Sequence, residues 1–216
     1  MNKEFIIKYL SDKDTIRCGW TSDLIDTSFE TLPSEFINFA EIDLETNFEH
    51  KYINALSNAK RALDCQADRL LKLFGFYKVS QDKFWGFPKK IELIQKFEII
   101  APRVLKKINN VRNLMEHQYI KPKPEVVEDF IDIVSLFVAS TEHFVSKSAN
   151  RIEYNNKNDE YKGFMELEFV IDSENSKIII STTRTDTKEN IEIEISKDDL
   201  EYIEIFRLHI KKVEII

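Results

Sequence analysis

The chain has 216 residues, a length that allows one large domain or a bundle with a smaller appendage. Its net charge is −7, and 43% of its residues are hydrophobic, enough for an ordinary hydrophobic core. Only four glycines and five prolines are present, which excludes collagen-like and long disordered chains. Two cysteines exclude a disulfide framework. No apolar run approaches a membrane span, and the N-terminus lacks the apolar core of a secretory signal. We therefore expect a cytoplasmic protein with no membrane segment.

Residues 1–43 read as an irregular N-terminal extension. The apolar runs at residues 5–9 and 36–39 are strand-like and are separated by turn-rich sequence. No catalytic chemistry is visible in this extension.

In residues 44–150 the apolar residues recur with the period of an α-helix. Thr46 and Glu49 fit a capping box that opens a first helix of about 28 residues, and Gly75 stands where this helix should end. Residues 77–87 read as a loop.

Three further helices are predicted after that loop. The second begins at Pro88, the third runs from about Arg103, and the fourth begins near Pro124 after the sequence KPKP. Short connections between them predict an antiparallel four-helix bundle over residues 44–150.

Residues 151–216 change again, to a period of two. Three antiparallel strands are predicted at residues 165–171, 177–183 and 191–195, followed by a helix that opens near Ser196. The solvent-facing positions of these strands are acidic, which favours contact with a protein or a second protomer rather than with RNA: Glu166, Glu168, Glu192 and Glu194. The predicted fold class is thus α+β, a four-helix bundle with a small C-terminal antiparallel sheet and helix as an appendage.

Metal and cofactor chemistry has no support in the sequence. There is no C-x-x-C pair, no H-x-x-x-H or H-E-x-x-H, no G-x-G-x-x-G and no P-loop. Three of the four histidines lie among charged neighbours on predicted helices, where a solvated face is the favoured interpretation: His50, His143 and His209. We expect no metal and no cofactor.

A basic segment runs against the acidic average of the chain. Residues 96–123 contain seven Lys or Arg and two Glu, a net charge of +5. Such a segment is what a polyanion-binding site needs. Its lysines are candidates for binding RNA phosphates: Lys106, Lys107, Lys121 and Lys123.

The end of the third predicted helix carries polar residues that point away from its core. On a helical wheel with 100° per residue and Val111 at 0°, Asn113 lies at about 200° and His117 at about 240°, whereas Arg112 lies at about 100°. Arg112 and His117 therefore do not converge on one ideal helix. Either the helix distorts near its end or a second protomer completes the site; on the residues alone, a simply solvated histidine is the commoner case.

The motif Arg112-Asn113-Leu-Met-Glu-His117, placed at the end of the third helix of a bundle, resembles the HEPN superfamily. Tyr119 extends it to R-x4-H-x-Y, a form similar to that of HEPN toxins encoded beside minimal nucleotidyltransferase antitoxins. The resemblance covers about residues 44–150 and leaves out residues 1–43 and 151–216.

The resemblance implies a metal-independent endoribonuclease that works as a two-fold homodimer, a toxin or phage-defence effector. Arg112 would hold the scissile phosphate, and His117 would move the protons. Asn113 would bind the phosphate or orient the imidazole. Tyr119 would form a wall of the site, be modified by a nucleotidyltransferase partner, or simply pack. The expected partners are RNA, a second copy and a cognate antitoxin.

Two alternatives stay open from the sequence. The first is a HEPN-like module that binds RNA, nucleotide or protein without cleaving, with the β-rich tail as its working part. The second is a helical structural protein that matches the motif by chance. Presence of both Arg112 and His117 favours the nuclease, because a scaffold has no physical need for either there.

Overall fold

The computed structural model describes residues 1–21, 23–100 and 122–214. The chain divides into two compact units. One, here called the sheet unit, comprises Met1–Asp26, Lys72–Lys78 and Lys147–Ile216. The other, here called the helical unit, comprises Thr27–Leu71 and Val79–Ser146.

The described residues form seven α-helices and five strands. The helices are α1 Lys3–Ser11, α2 Pro33–Glu45, α3 Lys51–Leu73, α4 Tyr77–Asp82, α5 Phe87–Lys96, α6 Pro124–Lys147 and α7 Tyr202–Glu214. The strands are β1 Thr15–Trp20, β2 Arg151–Asn156, β3 Leu167–Asp172, β4 Lys177–Thr183 and β5 Asn190–Ser196. A 3-10 turn lies at Asp159–Tyr161.

The sheet unit is built on one antiparallel sheet with the strand order β1-β2-β3-β4-β5. Strict alternation in β3 buries Leu167, Phe169 and Ile171 on one face and leaves the intervening residues on the other. On the buried face, α7 inserts Tyr202 and Phe206, both almost fully buried. The period of two in the sequence therefore separates a core face from a wet outer face.

The prediction of a four-helix bundle with a small C-terminal β appendage is wrong. The sheet has five strands rather than three, and the first of them comes from residues near the N-terminus, where Thr15 pairs with Asn156 and Trp20 with Ile152. Strands β3, β4 and β5 and the final helix are confirmed. Pairing between β1 and β2 is non-local, so no periodicity within a short window could indicate it.

The two strands predicted in residues 1–43 are also wrong, because both segments are helical. In α1 the Asn2 side chain accepts a hydrogen bond from the Phe5 amide at 2.8 Å, a helix N-cap. In α2, Pro33 occupies the first turn and the Glu35 carboxylate accepts from the Leu32 amide at 2.7 Å. These capping contacts, rather than the short apolar runs, decide the structure.

Thr46 has a different role from the predicted one. It follows the last residue of α2, and its hydroxyl donates to the carbonyl oxygen of Asp43 at 2.8 Å, so it ends α2 instead of opening α3. Gly75 does follow the end of α3, with a φ of +73° that favours glycine. Helix α6 begins at Pro124 as predicted.

A buried polar network joins α3 to α6 inside the helical unit. The Arg69 guanidinium, with a side chain only 6% exposed, donates to the Glu142 carboxylate through Nη1 at 2.6 Å and Nη2 at 3.0 Å. Arg69 also donates to Gln66, whose amide in turn donates to the Thr141 hydroxyl at 2.8 Å. A bidentate pair of this kind fixes the register of two packed helices.

Replacing Glu142 with alanine is expected to lower the free energy of unfolding by about 3 kcal/mol, because it leaves a buried guanidinium with little compensation. This is the lower end of the usual cost, since the Glu142 side chain is 42% exposed and water reaches it. Urea denaturation followed by circular dichroism measures the change.

The matched control is Glu92→Ala. Glu92 pairs with Lys89 on the surface of α5, and both side chains are more than half exposed. Ion pairs on the surface contribute little to the free energy of unfolding, so this variant should unfold at almost the same urea concentration as the parent. Equal losses in the two variants would show that burial of Arg69 has no special cost.

Candidate functional site

The motif residues lie outside the described part of the chain. This applies to Arg112, Asn113, His117 and Tyr119, and to three of the candidate RNA-binding lysines, Lys106, Lys107 and Lys121. Of the predicted site residues, Lys123 is the one that the structure describes.

Lys123 stands immediately before α6 and is exposed. Its carbonyl oxygen accepts from the amides of Val126 and Val127 at 3.1 and 3.2 Å, so its backbone begins the helix while its side chain stays in solvent. An exposed ammonium at this position is accessible to a phosphate.

The described helices on either side of the motif are each held to α3. On the N-terminal side, Lys90 of α5 forms an ion pair with Asp68 at 2.6 Å, and both side chains are largely buried. On the C-terminal side, α6 is held by the network at Arg69. Ile94 and Phe130 add apolar packing and are fully buried. The chain thus enters and leaves the motif segment through anchored helices.

The outer face of the sheet carries a row of acidic residues. Glu153, Glu168, Ser181 and Glu192 lie side by side across β2 to β5 in the strand register. Glu194 lies on the same face, one step further along β5. Two of these acids are paired, Glu168 with Arg151 at 3.0 Å and Glu194 with Lys177 at 2.7 Å. The face remains acidic. The sequence predicted Glu168, Glu192 and Glu194 on it but not Glu153, and the predicted Glu166 lies just before β3.

A surface groove of about 460 Å³ lies in the sheet unit, between the end of α3 and start of α4 on one side and the β3–β4 turn on the other. Its lining combines two lysines, two carboxylates and three uncharged polar side chains: Asp26, Lys72, Tyr77, Lys78, Ser173, Glu174 and Asn175. The charges balance, so the groove selects neither an anion nor a cation. The groove could not be predicted from the sequence because its residues come from three separate stretches of the chain.

Contacts beneath this groove fix its shape. Tyr202 donates from its hydroxyl to the carbonyl oxygen of Phe74 at 3.0 Å, and the Ser176 hydroxyl donates to the carbonyl oxygen of Gly75. A Cβ atom on Gly75 would lie 3.0 Å from the Ser176 Cα and 3.1 Å from the Tyr202 hydroxyl. Glycine is therefore needed here for close approach as well as for its positive φ.

His209 is buried, which corrects the expectation of a solvated face. Its Nδ1 lies 2.8 Å from the Tyr154 hydroxyl oxygen, and its ring stacks on Phe169 at a centroid distance of 4.2 Å. Burial lowers the pKa of His209 to about 3, with a further contribution from the positive charge of Arg17. This neutral, enclosed imidazole is part of the core of the sheet unit.

A signal for this burial is present in the sequence. Tyr202, Phe206 and His209 recur at spacings of four and three, which places His209 on the apolar stripe of α7. His50 and His143 are exposed, as predicted.

Within the described residues, no three His, Cys, Asp or Glu side chains come together in a way that could hold a metal ion. The helices in that part of the chain also include none long and apolar enough to cross a membrane. Comparisons with protein-family models, with curated proteins and with solved structures found no match to this chain.

Proposed function

We propose that this protein is a metal-independent endoribonuclease of the HEPN type, acting as a homodimer in the cytoplasm as a toxin or phage-defence effector. The observation that carries the proposal is the motif from Arg112 to His117 inside a segment of net charge +5, in a chain whose net charge is −7. A cationic segment in an acidic protein points to a local polyanion site rather than to general basicity.

The chemistry follows from the residue types. The RNA 2′-oxygen attacks the adjacent phosphorus and loses its proton to a base, the bond from phosphorus to the 5′-oxygen breaks, and that oxygen takes up a proton. His117 has a side chain suited to both proton transfers near neutral pH. Arg112 binds the phosphate and stabilises the charge that develops on it. Asn113 binds the phosphate or orients the imidazole.

The lysines around the motif supply the electrostatic part of RNA binding. Lys106, Lys107, Lys121 and Lys123 contact phosphates, which makes the affinity dependent on salt. Tyr119 closes a wall of the site or offers its hydroxyl to a nucleotidyltransferase partner. A cognate antitoxin holds the activity in check.

A non-catalytic HEPN-like module is the second candidate. The acidic outer face of the sheet favours it, because Glu153, Glu168 and Glu192 repel RNA and suit a basic protein partner. In that case the chain binds RNA, nucleotide or protein within a defence or toxin–antitoxin complex.

The test is incubation of the purified protein with RNA in EDTA, with cleavage and complex formation followed on separate gels. Cleavage in EDTA is the expected result. A shifted RNA that stays intact would favour the non-catalytic module. If RNA were neither shifted nor cleaved at low salt and high protein concentration, RNA as the ligand would be contradicted.

A further inference from the structure

The two edges of the sheet differ in how they are protected. Edge strand β1 has an irregular register between Arg17 and Gly19, and Lys212 donates from its ammonium to the carbonyl oxygen of Thr15 at 3.0 Å. Bulges and lysines of this kind prevent an edge from pairing with other chains. Edge strand β5 has neither device: it pairs with β4 in unbroken register over all seven of its residues.

The backbone groups that face outward on β5 can be identified from its ends. The Arg184 amide donates to Glu189 at 2.9 Å and the Lys197 amide donates to Ser176 at 3.0 Å. Because hydrogen-bonded and non-hydrogen-bonded pairs alternate in an antiparallel ladder, the amides and carbonyls of Glu192 and Glu194 point away from β4.

Within the described residues, those outward groups of Glu192 and Glu194 have no hydrogen-bond partner. At the C-terminal end of β5 the outward amide of Ser196 donates a hydrogen bond to the Asp199 carboxylate at 2.8 Å. On the core face of the sheet, Ile191 and Ile193 are only half-buried, so the edge offers apolar surface as well.

We propose that β5 is a docking strand for an extended segment of a partner protein, which adds to the sheet as a sixth, antiparallel strand. Glu192 and Glu194 side chains are exposed on one face, so the segment carries Lys or Arg opposite them. Apolar side chains of the same segment cover Ile191 and Ile193. The occupant is therefore an extended peptide in which basic and apolar residues alternate.

Charge argues against a second copy of the chain as the occupant. A two-fold pairing of β5 along its whole length is centred on Ile193 and places Glu192 directly opposite Glu194 of the second copy, and like charges opposite one another are destabilising. An RNA strand is disfavoured by the same carboxylates. This inference is independent of the nuclease proposal, since it concerns only the sheet unit.

The probe is the blocked peptide Lys-Val-Lys-Val-Lys-Val-Lys, with binding measured by titration calorimetry. Opposite Glu192 and Glu194 the peptide places lysines, whose amides then point at β5, while the valine amides point to solvent. N-methylation of the two inner lysines should weaken binding by at least about tenfold. N-methylation of two valines, which changes mass and charge identically, should leave the affinity unchanged.

Two protein variants test the strand itself. Glu192→Lys should weaken binding roughly threefold to tenfold, whereas Glu4→Lys on α1 makes the same change in net charge and should have no effect. Glu192→Pro removes an outward amide, which an edge strand tolerates, and should weaken binding while the melting temperature stays near that of the parent.

Three results would overturn the proposal. One is equal binding of both N-methylated peptides, which would reduce the interaction to charge attraction. Another is no binding of the parent peptide at millimolar concentration. The third is a dimer of the protein alone that sedimentation shows to be lost in Glu192→Pro, which would assign the edge to a second copy.

Discussion

Replacing His117 with alanine is expected to slow RNA cleavage by about 10²–10⁴-fold, because alanine can neither accept the 2′-hydroxyl proton nor protonate the leaving 5′-oxygen. The measurement is a single-turnover rate with protein in excess over RNA, which removes product release from the rate. RNA affinity, measured on a substrate that cannot be cleaved, should change little, since the histidine acts in the transition state.

Arg112 provides a graded comparison. Arg112→Ala should cost about 10²–10³-fold in rate, because the developing phosphate charge loses its counter-ion. Arg112→Lys keeps the charge but loses the planar pair of donors, so an intermediate rate is expected.

Lys123→Ala is the matched control, because Lys123 is exposed at the start of α6 and should affect binding but not chemistry. It should reduce the salt dependence of RNA affinity and leave the saturated rate near that of the parent. If His117→Ala and Lys123→Ala were equally active at saturation, the proton-transfer role of His117 would be wrong.

Acidification below pH 6.5 is expected to destabilise the sheet unit through His209. The pKa of His209 is about 3 in the folded protein, against about 6.5 for an exposed histidine. Above pH 6.5 the residue is neutral in both states. As the pH falls from 6.5 towards 3, only the unfolded chain takes up this proton, so the free energy of unfolding falls by about 2 kcal/mol at pH 5.

Denaturation in urea at pH 7, 6 and 5 measures this loss. The comparison protein is the double variant His209→Phe with Tyr154→Phe, which keeps a ring stacked on Phe169 and leaves no hydroxyl unpaired in the core. The two proteins have the same carboxylates, so the difference in how their free energies of unfolding change with pH comes from His209. Parallel slopes would show that the imidazole is not held neutral by burial.

The elements that could be predicted from the sequence are those with long or strict periodicity. Helix α6 repeats apolar residues such as Phe130, Val134 and Phe137 along its 24 residues, and it begins at Pro124, near which its start was predicted. Strand β5 alternates Ile and Glu without interruption. In both, burial of one face follows from the period alone.

Short apolar runs were misassigned because four or five residues fit either period. The run at residues 5–9 becomes helical through its cap at Asn2, and the run at 36–39 through Pro33 and Glu35. Reading the flanking polar residues first would have given both helices. Strand β1 was missed because its partner β2 is distant in the sequence. In β2 the alternation is limited to Ile152 and Tyr154, which is too short to indicate a strand by itself.

Of the candidate site, the sequence predicts the residue types and their charge, and the structure describes Lys123 and the helices on either side of the motif. His209 was misjudged because Lys211 and Lys212 follow it, although its phase with Phe206 places it on the buried stripe. The residues next to a side chain in the sequence indicate the local charge, whereas its position around the helix indicates whether it is buried.

The most direct test of the nuclease is the cleavage of a short RNA in EDTA beside the same RNA carrying one 2′-deoxynucleotide at the cleaved position. The expected product of the first RNA ends in a 2′,3′-cyclic phosphate. The second RNA should not be cleaved at that position, because the attacking oxygen is missing. Equal cleavage of both, or a product ending in a free 3′-hydroxyl, would contradict the proposed chemistry.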